Sequence, residues 1–369
     1  MQQARSQMHV CITGPKTCPP EIGGVEVFGW ELAKRVAAKG VKVTVVSGRL
    51  KGQASSETLQ GVEIRRVWSL RNRFLLKLSN MPGVDRALDQ LNPDVIHAND
   101  ATSAFVATSA SRRKHAIVTV HGIGYAKSDW PPPFRQGIRV FQQRAVKRAA
   151  EVVATDDATA SALRSIKQDV SVISPGVDTD VFRRGFHPWP GKLTQGKINV
   201  LFVGRLNMVK GFDLLVDAFT RLEPSDRSDM ILTVIGDGPL ARLAGKAGPV
   251  NWLGELPHES LPPYFANADL LVLPSRSEGL PISLLEAMSS ELPVACSLAG
   301  GIRSHFGEDE VTVIDPLTAE GVANAIKKVL SDPKAARRKA AFASMRVRKD
   351  FSWDSVAQKY IDVYERLAD

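Results

Sequence analysis

Cysteine is scarce. The three present in 369 residues, Cys11, Cys18 and Cys296, form no Cys-x-x-Cys pair and no Cys/His cluster. Neither a disulfide framework nor a zinc site is therefore expected, and the thiols should be reduced and buried. Long apolar runs are missing too. No stretch approaches the ~18 residues a membrane span needs, and the start, MQQARSQMHVCITG, passes from a short polar tail into a strand-like run without a cleavage-type segment. A cytoplasmic protein is the expectation. Neither half carries Gly-x-Gly-x-x-Gly after its first strand-like run, which argues against a dehydrogenase. No Asp-x-Asp carboxylate cluster stands near a strand end, so no tightly held divalent ion is expected. The basic residues come with no nucleic-acid module, so nucleic acid is not an expected partner.

What remains is the composition of an ordinary globular protein, 44% hydrophobic and 24% charged, long enough for two domains. Its net charge of +9 is unevenly spread. Up to Pro190 there are 27 Lys and Arg against 16 Asp and Glu, and beyond it 21 against 23. A basic first half suits an acidic substrate, an anionic membrane surface or nucleic acid, and charge alone does not choose between them.

Short β-branched runs alternate with helical stretches. Seven strands are read in the first half, starting at Met8, Val41, Val62, Asp94, Ala116, Glu151 and Val170, and six in the second, at Asn199, Met230, Asn251, Asp269, Leu292 and Val311. Such alternation predicts an α/β protein with parallel sheets covered on both faces. Gly29, Leu32, Ala33, Val36 and Ala37 repeat with helical spacing, and Gly40 stands where that helix should stop. From Ser174 to Lys197, three prolines and four glycines interrupt any regular element. Two doubly wound, Rossmann-like domains are expected, residues 1–185 and 186–350, facing a central cleft. A terminal helix over 351–369, with Ser352 as N-cap, is expected to cross back to the first domain.

Ligands of parallel sheets bind beyond the carboxyl ends of the strands, so functional residues are sought there. After DLLVLP come Glu278, Gly279, Leu280 and Pro281, then Glu286. Pro281 suits a first helical turn, which would leave Gly279 and Leu280 offering backbone N–H groups at a helix N-terminus. Two carboxylates in this setting can accept hydrogen bonds from a sugar and a ribose, although a bare Glu pair reads equally as surface charge. GRLNMVKGFDLLVDAF places Arg205 at a strand end and Lys210 at a helix start. They can neutralise a diphosphate, or be only solvated charges. Gly23 and Gly24 precede the first helix, where a backbone can approach phosphate or merely turn. His121 ends a strand, and a lone histidine there can be structural or functional. His97 reads as a packed strand residue. Gly236, in IGDGPL, makes a tight turn with its backbone open to ligand. RRVWSLRNRFLLKL, from Arg65, mixes basic and bulky apolar residues as a membrane-surface segment does, or as a solvated basic helix does.

PSRSEGLPISLLEAM resembles the signature of retaining family-4 glycosyltransferases of the GT-B fold, whose acidic pair is separated by seven residues, as Glu278 and Glu286 are. Arg205 and Lys210 look like that family's cationic pair, and Gly23 and Gly24 lie in a segment similar to its glycine-rich first loop. The resemblance extends over nearly the whole chain. It implies a GT-B fold and transfer of a hexosyl or deoxyhexosyl unit from a nucleoside diphosphate sugar, as co-substrate, to a glycan, lipid-linked or small-molecule acceptor.

The same resemblance implies residue roles. Arg205 and Lys210 would stabilise the diphosphate, Glu278 would bind the sugar hydroxyls and Glu286 the ribose. Gly24 would meet the phosphates through its N–H, the backbone around Leu256 in WLGELP would meet the base, and His121 would act by positioning and electrostatics near the reacting carbon. It further implies a same-face reaction with the leaving phosphate as base and a peripheral position on the inner face of the plasma membrane, while the missing Asp-x-Asp cluster makes catalysis independent of metal the expectation. Asn99 stands where many relatives have histidine, and Arg303 and Ser304 where relatives carry Pro-Glu. A nucleotide-sugar epimerase of GT-B type and a non-catalytic nucleotide-sugar-binding protein are the other readings of the donor motifs.

Overall fold

The computed structural model describes residues 7–20, 24–70, 76–109, 111–122, 132–246 and 248–368. It separates into two units, Met1–Pro175 with Trp353–Asp369, and Gly176–Ser352.

The first unit is built on eight strands: β1 (His9–Thr13), β2 (Lys42–Gly48), β3 (Ser56–Leu59), β4 (Val62–Val67), β5 (Val95–Ala98), β6 (Ala116–Val120), β7 (Glu151–Ala154) and β8 (Ser171–Val172). They lie in the order β3-β4-β2-β1-β5-β6-β7-β8, and all pairs are parallel except β3 with β4. The winding reverses between β1 and β5, the position where a doubly wound sheet opens a crevice. Helices cover both faces because the central strands are apolar on both. Val10 and Ile12 enter one core cluster, and Cys11, one position over, enters the other.

β3 is the strand that the sequence reading lacks. All four of its residues are exposed, so no apolar alternation marks it. Its signal is the turn: Leu59 pairs with Val62 across Gln60 and Gly61, both with positive φ (50° and 78°), as a two-residue hairpin needs.

The helix Gly24–Ala38 buries Gly29, Leu32, Ala33 and Val36, and Gly40 takes a φ of 89° just beyond it. The terminal helix Trp353–Ala368 packs into the same core through Trp353, Val356, Tyr360, Val363 and Tyr364. Its two tyrosines close a buried network. His97 binds Tyr364 Oη through Nδ1 (2.6 Å) and Thr119 Oγ1 through Nε2 (2.7 Å), and Tyr360 Oη lies 3.1 Å from Thr119 Oγ1.

The second unit has six parallel strands: β9 (Ile198–Val203), β10 (Met230–Ile235), β11 (Val250–Trp252), β12 (Leu270–Leu273), β13 (Val294–Cys296) and β14 (Thr312–Val313). Their order, β11-β10-β9-β12-β13-β14, reverses between β9 and β12. The division between units falls at Pro175, earlier than the expected 185, and returns at Trp353 rather than 351. The reason is packing. Val177 and Phe182 are buried in the core of the second unit, and Val177 N–H donates to Phe351 O (2.8 Å).

The run from Val62 forms the expected strand, so the helical reading of the basic segment does not hold for its first residues. Arg65 and Arg66 lie in β4, on opposite faces. Arg66 is buried and donates to Cys18 O (2.7 Å) and to Glu57, while Arg65 pairs with Glu63 (2.8 Å). Arg66 is therefore withdrawn from the surface, while the Arg65 side chain keeps 36% exposure. Trp68 and Leu70 are exposed, and Arg71, Arg73, Phe74 and Leu75 lie outside the described residues. Among the described residues no helix is long and apolar enough to cross a membrane.

Candidate active site

In the second unit the loops after β9 and β12 flank the switch point, and they bring two of the expected residues together. The Nζ of Lys210 lies 2.7 Å and 2.9 Å from the two carboxylate oxygens of Glu278. The Glu278 side chain is 9% exposed and that of Lys210 25%, so the pair is mostly desolvated yet reachable.

Glycine makes this approach feasible. Gly211, φ 68°, is the N-cap of the helix Phe212–Arg221, and a Cβ there would overlap the carbonyl oxygen of Pro274 just after β12. Gly300, φ 57°, likewise has no room for a Cβ against the carbonyl oxygen of Glu278. Gly236 and Gly238 press on the backbones of Gly204 and Leu206 in the same way. Trp252 Nε1 donates to Gly236 O (2.9 Å), tying that turn to the end of β11. Arg205 follows β9 after Gly204 and is exposed.

The PSRSEGLPISLLEAM segment differs from expectation at its helix start. The helix runs Ile282–Ser289, and Pro281 precedes it as N-cap in an extended conformation, its carbonyl accepting from Leu284 N–H at 3.1 Å. Gly279 and Leu280 therefore belong to the preceding loop and not to the helical turn, and the Leu280 side chain is buried in the core. Glu286 sits inside the helix, 2% exposed, with Oε1 2.6 Å from His258 Nε2. Leu256 packs its side chain against the core cluster, which leaves its backbone as the part able to meet a ligand.

Two residues that sequence reasoning passed over support these loops. Arg276 forks onto both oxygens of Asp213 (2.7 and 2.6 Å) and donates to Met208 O (2.6 Å), clamping the loop that carries Lys210. The Asp213 hydrogen bonds raise the guanidinium pKa further. His258 holds Glu286 as described. The partners stand 63 and 28 residues apart in the chain, and no local spacing links them.

In the first unit, His121 follows β6. Its ring packs edge-on against Phe28 at 4.5 Å, and Nε2 lies 3.4 Å from Asn99 Oδ1. Gly24 opens its helix, and Gly23 lies outside the described residues. The first turn of that helix already holds a carboxylate: Glu26 is buried, with Lys16 Nζ 3.8 Å away. His97 is fully buried, and burial pushes its pKa down to about 3. Burial pushes all three thiols up to about 12, which makes them poor nucleophiles.

Among the described residues no group of three or more His, Cys, Asp or Glu side chains is arranged to hold a metal ion. The Asp-x-Asp spacing at Asp178 and Asp180 is taken up by a turn, in which Asp178 Oδ1 accepts from the N–H groups of Asp180 and Val181 (both 3.2 Å).

Comparison with known proteins agrees with this architecture. The D-inositol 3-phosphate glycosyltransferase of Thermomonospora curvata is 25% identical over 402 residues, covering 95% of this chain and 92% of that protein. The sucrose-phosphate synthase of Thermosynechococcus elongatus superposes with a TM-score of 0.85 at 20% identity, covering 98% and 99%. Anabaena HepE in complex with UDP-glucose gives 0.77 at 18% identity, covering 98% and 100%. Residues 22–181 match the family model of Glycosyltransferase Family 4, and residues 184–344 match that of Glycosyl transferases group 1. With two doubly wound sheets of this topology, and these two matches spanning most of its length, the chain belongs to the family-4 glycosyltransferases of the GT-B fold.

Proposed function

We propose that this glycosyltransferase moves a hexosyl or deoxyhexosyl unit from a nucleoside diphosphate sugar to a hydroxyl of a glycan, lipid-linked or small-molecule acceptor, with retention of configuration. The observation that carries the reading is the Lys210–Glu278 pair at the β9/β12 switch point. An ammonium and a carboxylate side by side are what a sugar diphosphate needs at the bond that breaks. The ammonium takes up charge that builds on the leaving phosphate, and the carboxylate accepts hydrogen bonds from the sugar hydroxyls. On donor binding each exchanges one strong partner for another, so neither charge is left buried and unpaired.

Arg205 supplies a second cation to the diphosphate, Glu286 accepts the ribose hydroxyls, and the backbones around Leu256 and Gly236 meet the nucleotide. Gly279, Leu280 and Pro281 shape the loop beside the sugar. Gly23 and Gly24 approach the phosphates, and His121 acts by position and electrostatics and not as a nucleophile. The acceptor oxygen forms its bond to the anomeric carbon on the face that the phosphate leaves, and the acceptor proton passes to a leaving-phosphate oxygen. The UDP-glucose held by Anabaena HepE supports a nucleoside diphosphate sugar as the donor class.

Two cations, Arg205 and Lys210, do the work of charge neutralisation in this reading, so turnover should be undiminished in chelator, and its abolition would refute the metal-free assignment. We place the enzyme in the cytoplasm, with the basic first unit and its exposed Trp68 and Leu70 against an anionic membrane. Failure to co-sediment with phosphatidylglycerol vesicles at low salt argues against that placement.

The test of function is a mass-spectrometric screen of the protein against nucleoside diphosphate sugars, with membrane lipids and oligosaccharides as acceptors, alongside Glu278→Ala. Transfer from one donor, reduced by ~10²–10³-fold in the variant, is expected. Isomerised sugar from donor alone would identify an epimerase instead, and binding without turnover a binding protein.

A further inference from the structure

Glu286 is the charged member of a helical run, Leu284–Ser289, that is buried throughout. An ionised carboxylate in such a place needs hydrogen-bond donors. His258 Nε2 lies 2.6 Å from Oε1, where the tautomer with its proton on Nε2 donates to the carboxylate.

His258 is itself fixed from two directions. It opens the short 3-10 turn His258–Ser260, which is closed by Ser260 Oγ and N–H onto Pro257 O (2.7 and 3.0 Å) and by Leu261 N–H onto His258 O (3.1 Å). Its ring packs on the buried ring of Phe182, with centroids 5.5 Å apart. The histidine side chain is still 27% exposed, so the pair stands where the core meets solvent. Lys210 approaches Glu278 on a long flexible stem, whereas His258 is a rigid ring that sets the carboxylate plane. Oε1 of Glu286 faces His258, and Oε2 is the second acceptor of the same carboxylate.

We propose that His258 is a positioning residue for Glu286. It fixes one carboxylate oxygen and presents the other to the ribose hydroxyls of the donor, and so sets the preference for ribonucleotides over 2′-deoxyribonucleotides. The proposal rests on the reading of Glu286 as the ribose-binding group. Holding the carboxylate in its bound orientation beforehand spares the ordering that binding would otherwise require.

Calorimetric titration of the full chain with ADP, GDP and UDP and their 2′-deoxy counterparts separates the two ideas. The wild type should bind its preferred ribonucleotide about 10–100-fold more tightly than the deoxy form, the value of a hydrogen bond to a charged group. His258→Ala should weaken the ribo form about tenfold and leave the deoxy form almost unchanged. His258→Gln, whose amide can still donate to Oε1, should recover most of the discrimination. In turnover the loss should appear in the donor KM, with kcat little altered.

Discrimination that survives in His258→Ala, or an equal loss for both sugars, overturns the positioning role while leaving the donor site in place. Wild-type protein that binds nucleotides without preferring ribose removes the assignment of Glu286 itself. Wild-type protein that binds none of them removes the donor reading and this proposal with it.

Discussion

The two units repeat one construction at the amino ends of their central strands and diverge at the carboxyl ends. In the first, Asp94 Oδ2 accepts from His9 N–H (2.7 Å) and Asp94 N–H donates to His9 O (2.9 Å). In the second, Asp269 Oδ2 accepts from Asn199 N–H (2.8 Å) and Asp269 N–H donates to Asn199 O (3.0 Å). The same reciprocal clip joins the two strands that flank each switch point. Beyond the other ends, the first unit has His121 between Phe28 and Asn99, while the second has charged pairs on loops pressed backbone to backbone. The amino ends share a solution to sheet winding, and the carboxyl ends are where the two units differ.

The largest break in this comparison should come from glycine. Gly211→Ala forces a Cβ into Pro274 O at a positive φ, and a loss of about 3 kcal/mol or more is expected. Gly137, in the helix Pro132–Arg148, has nothing within 4 Å of a built Cβ, so Gly137→Ala should stabilise by about 1 kcal/mol. Differential scanning calorimetry should show opposite shifts in melting temperature, and two shifts of the same sign would contradict the close-approach argument.

Acid should act next, through the first unit. The folded chain keeps His97 neutral down to about pH 3, whereas the unfolded chain protonates it near 6.5. Its stabilising contribution is complete above pH 6.5 and declines toward pH 3, by about 1.4 kcal/mol per pH unit. His9, whose pKa burial also lowers, adds in the same direction. Stability measured against pH should flatten in His97→Gln, and an unchanged slope would show that other groups govern acid sensitivity.

Smaller effects sharpen the likeness. Tyr364→Phe strips Nδ1 of His97 of its partner and should cost about 1–3 kcal/mol, seen as faster hydrogen exchange in β5 and the terminal helix. Asp94→Ala and Asp269→Ala each remove the carboxylate half of one clip and should lose similar amounts, about 1–2 kcal/mol, read by exchange at β1 and β9 respectively. A clearly unequal pair would mean that the two clips are not equivalent.

Much of the scaffold was legible. Short apolar runs located every parallel strand, and the central ones are continuous because they are buried on both faces. β3 escaped, being polar and exposed, with only Gln60-Gly61 to mark it. Glu278 was legible through a motif and Lys210 through its place at a helix start, and the structure joins them across the switch point. Arg276–Asp213 and His258–Glu286 were not, since each joins residues from separate strand-helix units. Pro281 as N-cap and Arg66 as a buried donor were decided by where neighbouring backbone carbonyls ended up.

By itself the sequence determined the two doubly wound sheets, because hydrophobic periodicity is local and the crossover rules leave few ways to wind such units. It also determined which residue types stand at the carboxyl ends of the strands. Only the tertiary structure decided which of them touch, which carboxylate oxygen is occupied, and where a glycine is compulsory. Those outcomes depend on separations of a few ångströms between segments distant in the chain, which no local pattern encodes.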